Sequence, residues 1–140
     1  MIAPPFQDRV LGSPDANFVV MEVHAKGEPT GQPHRLVPLH VHRHDDEAIY
    51  VLEGLLFVRL GDGDVETRAG SGVFIPHGTP HTYWNPGAGP VRFLNVMTPR
   101  IFLLIQELNI LQQHTQEAVA RIYEKCESAV LEPLPNPPAG

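Results

Sequence analysis

An all-β sandwich or barrel followed by two C-terminal α-helices is the fold class that this sequence predicts, and three observations carry the prediction. Short apolar runs separated by turn residues recur from about Phe18 to Met97, no helical period interrupts them, and helical spacing begins only after Thr98-Pro99. The runs are Phe18 to His24, Leu36 to His42, Ala48 to Leu52, Leu55 to Leu60, Val73 to Ile75, His81 to Trp84 and Val91 to Met97. Gly54, Gly61-Asp62-Gly63-Asp64, Gly70-Ser71-Gly72 and Pro86-Gly87-Ala88-Gly89-Pro90 punctuate them, and Asp62-Gly63 reads as a hairpin tip. Alternating β-α-β units have little support, and the sequence shows no internal repeat.

After Pro99, Ile101, Leu104, Ile105, Leu108 and Leu111 share one helical face. Thr115 then offers an N-cap to a second helix, with Ala118, Val119, Ile122, Tyr123 and Cys126 near one side. Both stripes are expected to pack on the barrel or on a second subunit. The run Pro133-Leu134-Pro135-Asn136-Pro137-Pro138 cannot be helical and is expected to lie extended. The expected organisation is a β-barrel over 1–98, a helical extension over 99–130 and a proline-rich tail over 131–140.

A chain of 140 residues is long enough to bury a core around a pocket without a staple. Cys126 is the only cysteine, which excludes an intramolecular disulfide and a cysteine-based zinc site. The net charge of -6 argues against a nucleic-acid partner. Met1 to Asp8 lacks the basic-then-apolar order of a secretory signal, and the longest apolar run, Ile101 to Ile105, is far too short for a membrane span. These features predict a soluble, cytoplasmic protein with neither nucleic acid nor membrane as partner.

The chemistry concentrates in His40-Val41-His42-Arg43-His44-Asp45-Asp46-Glu47 and in Pro76-His77-Gly78-Thr79-Pro80-His81. In an extended strand, residues two apart leave the same face with their backbones roughly 6 to 7 Å apart, so His40 and His42 can converge on one ion. Glu47 can join them if Arg43 to Asp46 turn the chain, and His81 if the intervening segment folds back. Three imidazoles and a carboxylate suit one divalent transition metal, Mn, Fe, Co, Ni, Cu or Zn, and suit Mg or Ca poorly. Four protein ligands on a six-coordinate ion leave two positions for a small-molecule substrate, whereas a closed four-ligand zinc site would be structural only.

Two motifs in these segments resemble those of the cupins. His40-x-His42-x4-Glu47-x6-Gly54, over 40–54, matches most of the first cupin motif, and Gly70-x5-Pro76-x-Gly78-x2-His81-x3-Asn85, over 70–85, matches the second in full. Leu55 to Ala69 separates them, and the resemblance extends from Phe18 to Met97. It implies a double-stranded β-helix, or jelly roll, with His40, His42, Glu47 and His81 as metal ligands inside it. Glycines at 54, 70 and 78 then fall at sharp turns, and Pro76 fixes φ before the corner that aims His81 inward. One departure is His34, which stands where the family usually has a glycine six residues before the first histidine; Gly31 lies nine before it, so the loop Gly31 to Pro38 is expected to differ in shape.

Among cupins the chain is most similar to single-domain members related to quercetin 2,3-dioxygenase. That resemblance implies a metal-dependent dioxygenase acting on a small enolic, phenolic or β-dicarbonyl compound, with Glu47 as the catalytic base. The same ligand set also suits a non-redox isomerase, cyclase or decarboxylase, and cupins include small-ligand binders without turnover.

Period-two alternation proposes pocket walls. If Glu47 points inward, so do Ile49 and Val51; if His81 points inward, so do Tyr83 and Asn85, while Thr82 and Trp84 point away. His44 is too close to Glu47 for the motif and is expected at the surface or rim; His34 and His77 flank the expected entrance, and His24 and His114 have no motif partner. Leu55 to Leu60 is apolar on both faces, so its outer face requires cover, either in a homodimer or from the C-terminal helices. Light scattering that finds only a 15.5 kDa monomer would remove the dimer.

Overall fold

The computed structural model describes residues 10–27 and 34–133. Within them the chain runs β1 (Val10–Leu11), β2 (Val19–Ala25), β3 (His34–Arg35), β4 (His40–His42), β5 (Glu47–Glu53), β6 (Leu55–Leu60), β7 (Gly63–Arg68), β8 (Gly72–Ile75), β9 (His81–Asn85), β10 (Val91–Met97), α1 (Pro99–Ile110), α2 (Gln116–Lys125) and β11 (Ser128–Val130). Every strand pair is antiparallel. One sheet has the order β1-β2-β10-β5-β8 and the other β11-β4-β9-β6-β7, with β3 also on β9. Among the described residues no helix is long and apolar enough to cross a membrane.

Strand alternation builds the core between the sheets. Val91, Phe93, Asn95 and Met97 are the buried positions of β10, and Glu47, Ile49 and Val51 those of β5. Ile49, Val51, Leu56, Val58, Val73, Ile75, Tyr83, Val91 and Phe93 form one apolar cluster. Turn chemistry closes the corners: Gly54 has φ 83°, and a Cβ there would lie 2.3 Å from the Pro90 carbonyl oxygen, so only glycine fits. Gly78, with φ 80°, takes the corner before His81, and its N–H donates to the His42 carbonyl at 2.7 Å.

Three expectations from the sequence are corrected, and one strand was not foreseen. The single run Leu36 to His42 is divided: β3 pairs with β9, the chain bends over Leu36 to Leu39, and β4 begins at His40. Pro38 in that bend has no N–H to give to a ladder. The β6–β7 hairpin pairs Leu60 with Gly63, so Gly61 and Asp62 hold its tip, one residue earlier than expected. The strand β7 itself went unread because Thr67 is its only buried residue, which leaves no apolar alternation to read. The helices do not cover the outer face of β6; there Phe57 stands edge-on to Trp84, ring centroids 5.7 Å apart, and both remain half-buried.

The helices instead close another side. Thr98 caps α1 by accepting from the Ile101 N–H, and Ile101 and Phe102 pack on Val19 and Met97. Thr115 caps α2 as expected, accepting from the Ala118 N–H, and Val119, Tyr123 and Cys126 pack with Leu104. Glu127, at φ 56°, then turns the chain into β11, which lies beside β4 with Ser128 opposite His42 and Val130 opposite His40. The proline-rich tail from 134 onward, Met1 to Asp8 and the first part of the loop expected over Gly31 to Pro38 lie outside the described residues.

Candidate metal centre

The alternation of β4 turns His40 and His42 to the same buried face while Val41 is only half-buried. Pairing of β4 with β9 sets His81 opposite His40, and β5 of the facing sheet begins with Glu47. All four side chains are buried. His40 Nε2 and His42 Nε2 stand 3.2 Å apart; Glu47 Oε2 lies 3.0 Å from His42 Nε2 and 3.8 Å from His81 Nε2.

Each imidazole is held by its other nitrogen. His40 Nδ1 donates to the Pro38 carbonyl at 2.7 Å and His81 Nδ1 to the Thr79 carbonyl at 2.9 Å. Because carbonyls only accept, both rings carry the proton on Nδ1 and leave Nε2 bare. Ser128 achieves the same for His42: its hydroxyl donates to the Cys126 carbonyl at 3.2 Å and accepts from His42 Nδ1 at 2.7 Å. Bare nitrogens of the three histidines therefore lie within 4.8 Å of one another.

This donor set fits a divalent transition ion. Lone pairs facing each other at 3.2 Å repel unless a cation or a proton sits between them. Two bonds of about 2.1 Å meeting at roughly 100° produce such a separation. His81 Nε2 is buried and has no hydrogen-bond partner in the protein, a cost that coordination would relieve. Burial pushes the His40 pKa well below its usual value, and the nearby His81 and His42 add to the effect; burial also lowers that of His81. Neutral imidazole is the ligating form.

Two phenols adjoin the cluster. The Tyr123 ring stands 5.4 Å from that of His40, edge-on, and Tyr83 lies on the strand that carries His81. Burial raises the pKa of both, and the Glu47 carboxylate raises each further, so both remain proton donors at neutral pH. Tyr83 and Tyr123 also border a cavity of about 540 Å³ between β2, the Leu36–Pro38 bend and the two helices. Among the described residues that line it there is no lysine or arginine.

The remaining expected site residues separate. Tyr83 reaches the cavity, whereas Ile49 and Val51 lie in the packed cluster with Phe93 and Leu56. Asn85 braces a loop: its Nδ2 donates to the Gly89 carbonyl at 2.8 Å and its Oδ1 accepts from the Gly87 N–H at 3.0 Å. Thr82 points away from His81 yet is fully buried, because its hydroxyl donates to the Val37 carbonyl beneath the bend. His44 is exposed, 3.7 Å from Glu127. His77 is exposed and held by Asp46, through both its backbone N–H and its Nδ1. His34 lies on β3, and His114, without a role in the sequence, borders the cavity. Ser128 went unread, since a three-residue strand after a helix has no pattern to betray it.

The comparisons with known proteins agree with this geometry. Residues 30–97 match the family model described as the cupin domain. Among solved structures, the chain is similar to TT1209 of Thermus thermophilus, with 29% identity, a TM-score of 0.50 and coverage of 69% of this chain and 79% of that one. It is also similar to a cupin-superfamily sugar phosphate isomerase of Silicibacter pomeroyi, with 26% identity, a TM-score of 0.51 and coverage of 59% of this chain and 51% of that one. The chain thus spans about half the length of the Silicibacter protein. A cupin-2 domain protein of Shewanella frigidimarina, 21% identical with a TM-score of 0.51 and coverage of 69% and 84%, shares the fold. No curated protein sequence matches the chain. Residues 30–97 thus resemble a cupin domain, and the barrel that gathers the three histidines has the cupin fold.

Proposed function

We propose that this chain is a metal-dependent cupin enzyme, a dioxygenase acting on a small enolic or phenolic compound, with His40, His42, His81 and Glu47 as ligands of one divalent transition metal. The observation that carries the reading is the convergence of three Nδ1-tethered imidazoles, with bare Nε2 atoms, on the Glu47 carboxylate. Bound there, such a metal supplies Lewis acidity and, for Fe, Mn, Co, Ni or Cu, access to redox chemistry.

The protein's own part is to hold and move a proton in a dry site. In this reading Glu47, whose Oε2 lies 3.0 Å from His42 Nε2, takes a proton from a substrate hydroxyl that enters beside His42. Carboxylates as a class are weak bases, which suits an acidic enol or phenol over an ordinary alcohol. Tyr83 and Tyr123, kept protonated, are hydrogen-bond donors on the cavity side. The test is elemental analysis of protein purified without added metal or chelator, then oxygen-uptake assays with flavonols and β-dicarbonyl compounds after loading with each metal in turn. Oxygen consumption tied to one metal supports the reading; none with any metal overturns it.

A non-redox isomerase is the second reading, favoured by the Silicibacter relative. A sugar phosphate substrate would call for cationic side chains, and the described residues of the cavity lining include neither lysine nor arginine. Turnover under argon with Zn as well as Fe would favour this reading.

A further inference from the structure

The sheet that carries Glu47 is largely apolar on both faces, although only its inner face meets the core. Strands of an antiparallel sheet with one wet face alternate apolar and polar residues, whereas β5 reads Glu-Ala-Ile-Tyr-Val-Leu-Glu and β10 Val-Arg-Phe-Leu-Asn-Val-Met. On the outer face the register sets Leu11, Val20, Val96, Ala48 and Phe74 in one row across all five strands, with Leu94 beside Tyr50 in the next. α1 packs on Val19 and Met97 of the other face and α2 packs with α1, which leaves the outer rings open: Phe74 is 60% exposed, Tyr50 46% and Phe18, just before β2, 62%. At roughly 200 Å² of surface per aromatic side chain, these three rings alone present on the order of 350 Å². Apolar patches of that scale on a folded chain mark interaction surfaces.

We infer that this face is the interface of a homodimer, in which the outer sheets of two copies of the chain pack face to face about a two-fold axis. Shape selects a second copy. Phe18, Ala48, Phe74 and Val96 line a hollow of about 170 Å³, and a cavity of about 150 Å³ accepts a benzene ring. Knob and hole therefore lie on one patch, so each copy can seat its Phe74 ring in the other, as a two-fold interface demands. Size and charge agree. With its side chains the face spans roughly 25 Å by 25 Å at the spacings of a five-stranded sheet, the order of the about 800 Å² per partner that a stable dimer buries. Charged side chains at its two ends are paired within the chain, Arg92 with Glu22 at 2.7 Å and Asp46 with His77 at 2.7 Å. Two copies of net charge -6 can thus meet on apolar surface without burying an unpaired charge. The sequence pointed to the outer face of β6 for such a contact, but Phe57 and Trp84 there are half-buried against each other, and the more open apolar face belongs to the opposite sheet.

The experiment uses the full chain and reads its mass by sedimentation velocity and light scattering at micromolar concentration. Wild type should have twice the 15.5 kDa mass of one chain. Phe74→Asp and, separately, Phe18→Glu should each weaken the dimer at least about a hundredfold, because a two-fold axis buries every introduced charge twice. Circular dichroism checks that each variant is folded. Phe18 stands outside the strands, so Phe18→Glu carries the test if Phe74→Asp fails to fold. Phe57→Glu, on the outer face of β6, is the control and should leave the dimer intact. A monomeric wild type, an undiminished dimer in folded Phe74→Asp or Phe18→Glu, or a dimer dissolved in folded Phe57→Glu would each overturn the inference, the last by moving the contact to β6. A wild type that is monomeric in solution yet sediments with phosphatidylcholine vesicles would overturn it as well and assign the rings to a lipid surface. None of these readouts depends on metal or turnover, so the proposed function stands or falls separately.

Discussion

Strand β5 begins with Glu47 facing a cluster of imidazoles, and two and four residues later the same face presents Ile49 and Val51 to a fully packed apolar core. Strand β9 repeats the contrast: His81 meets the site, Tyr83 meets the cavity, and Asn85 ends in a loop brace. In direction both strands alternate, although Thr82 of β9 is buried as well. Alternation therefore fixes which side chains share a face, but whether that face looks onto a site or onto close packing is decided by what the opposite sheet brings there. Opposite the beginning of β5 it brings β4, steered by the Pro38 bend and the Gly78 corner; further along it brings Leu56 and Val58 of β6.

The sharpest break of this contrast exchanges the two regions as mutational targets. His42→Ala or His81→Ala should abolish stoichiometric metal binding, read by elemental analysis, because each removes a nitrogen from a three-histidine set. Phe93→Ala should do the opposite: a loss of about 3–5 kcal/mol in unfolding free energy, read by denaturant titration, with metal stoichiometry retained in the folded fraction. Retained metal in both histidine variants would defeat the site assignment. Lost metal in a folded Phe93→Ala chain would show that the two regions are not separable.

The motif residues were legible in the sequence because their chemistry is scarce: few reasons exist for histidines at 40, 42 and 81 beside Glu47. The fold class was legible for a related reason, since seven apolar runs separated by glycine and proline admit few architectures. What could not be read depended on partners distant in sequence. β7 is an edge strand with polar residues on both faces, so its pairing with β6 leaves no trace in hydropathy. The helical stripes left open whether the barrel or a second subunit received them: α1 packs on Val19 and Met97 of the barrel, and α2 packs with Leu104 of α1. Ser128 became part of the centre only because β11 lies beside β4.

Ser128 offers the next, smaller test. Its hydroxyl has no path to the ion side of His42; it acts through the ring, holding Nδ1–H at 2.7 Å and so keeping Nε2 bare. Ser128→Ala should lower metal affinity about 10- to 100-fold, as loss of a hydrogen bond to a ligating histidine does, with little change in stoichiometry at saturating metal. Ser128→Thr, which keeps the hydroxyl, should recover most of it. An affinity unmoved in Ser128→Ala would mean that the His42 ring is oriented by packing alone.

The smallest effect probes the border between the regions at Ile49, which shares a face with Glu47 two residues away. As a core residue 1% exposed, Ile49 contributes packing, and removing one methyl in Ile49→Val should cost about 0.5–1.5 kcal/mol of stability. Metal affinity should stay at the wild-type value, because Ile49 is not among the clustered histidines and belongs to the packed core. The sequence alone placed Ile49 on a pocket wall, and a wall residue behaves differently: shaving it would reshape the site and shift metal affinity with little change in stability. Measuring unfolding and metal affinity on this one variant therefore decides where the packed core ends and the site begins.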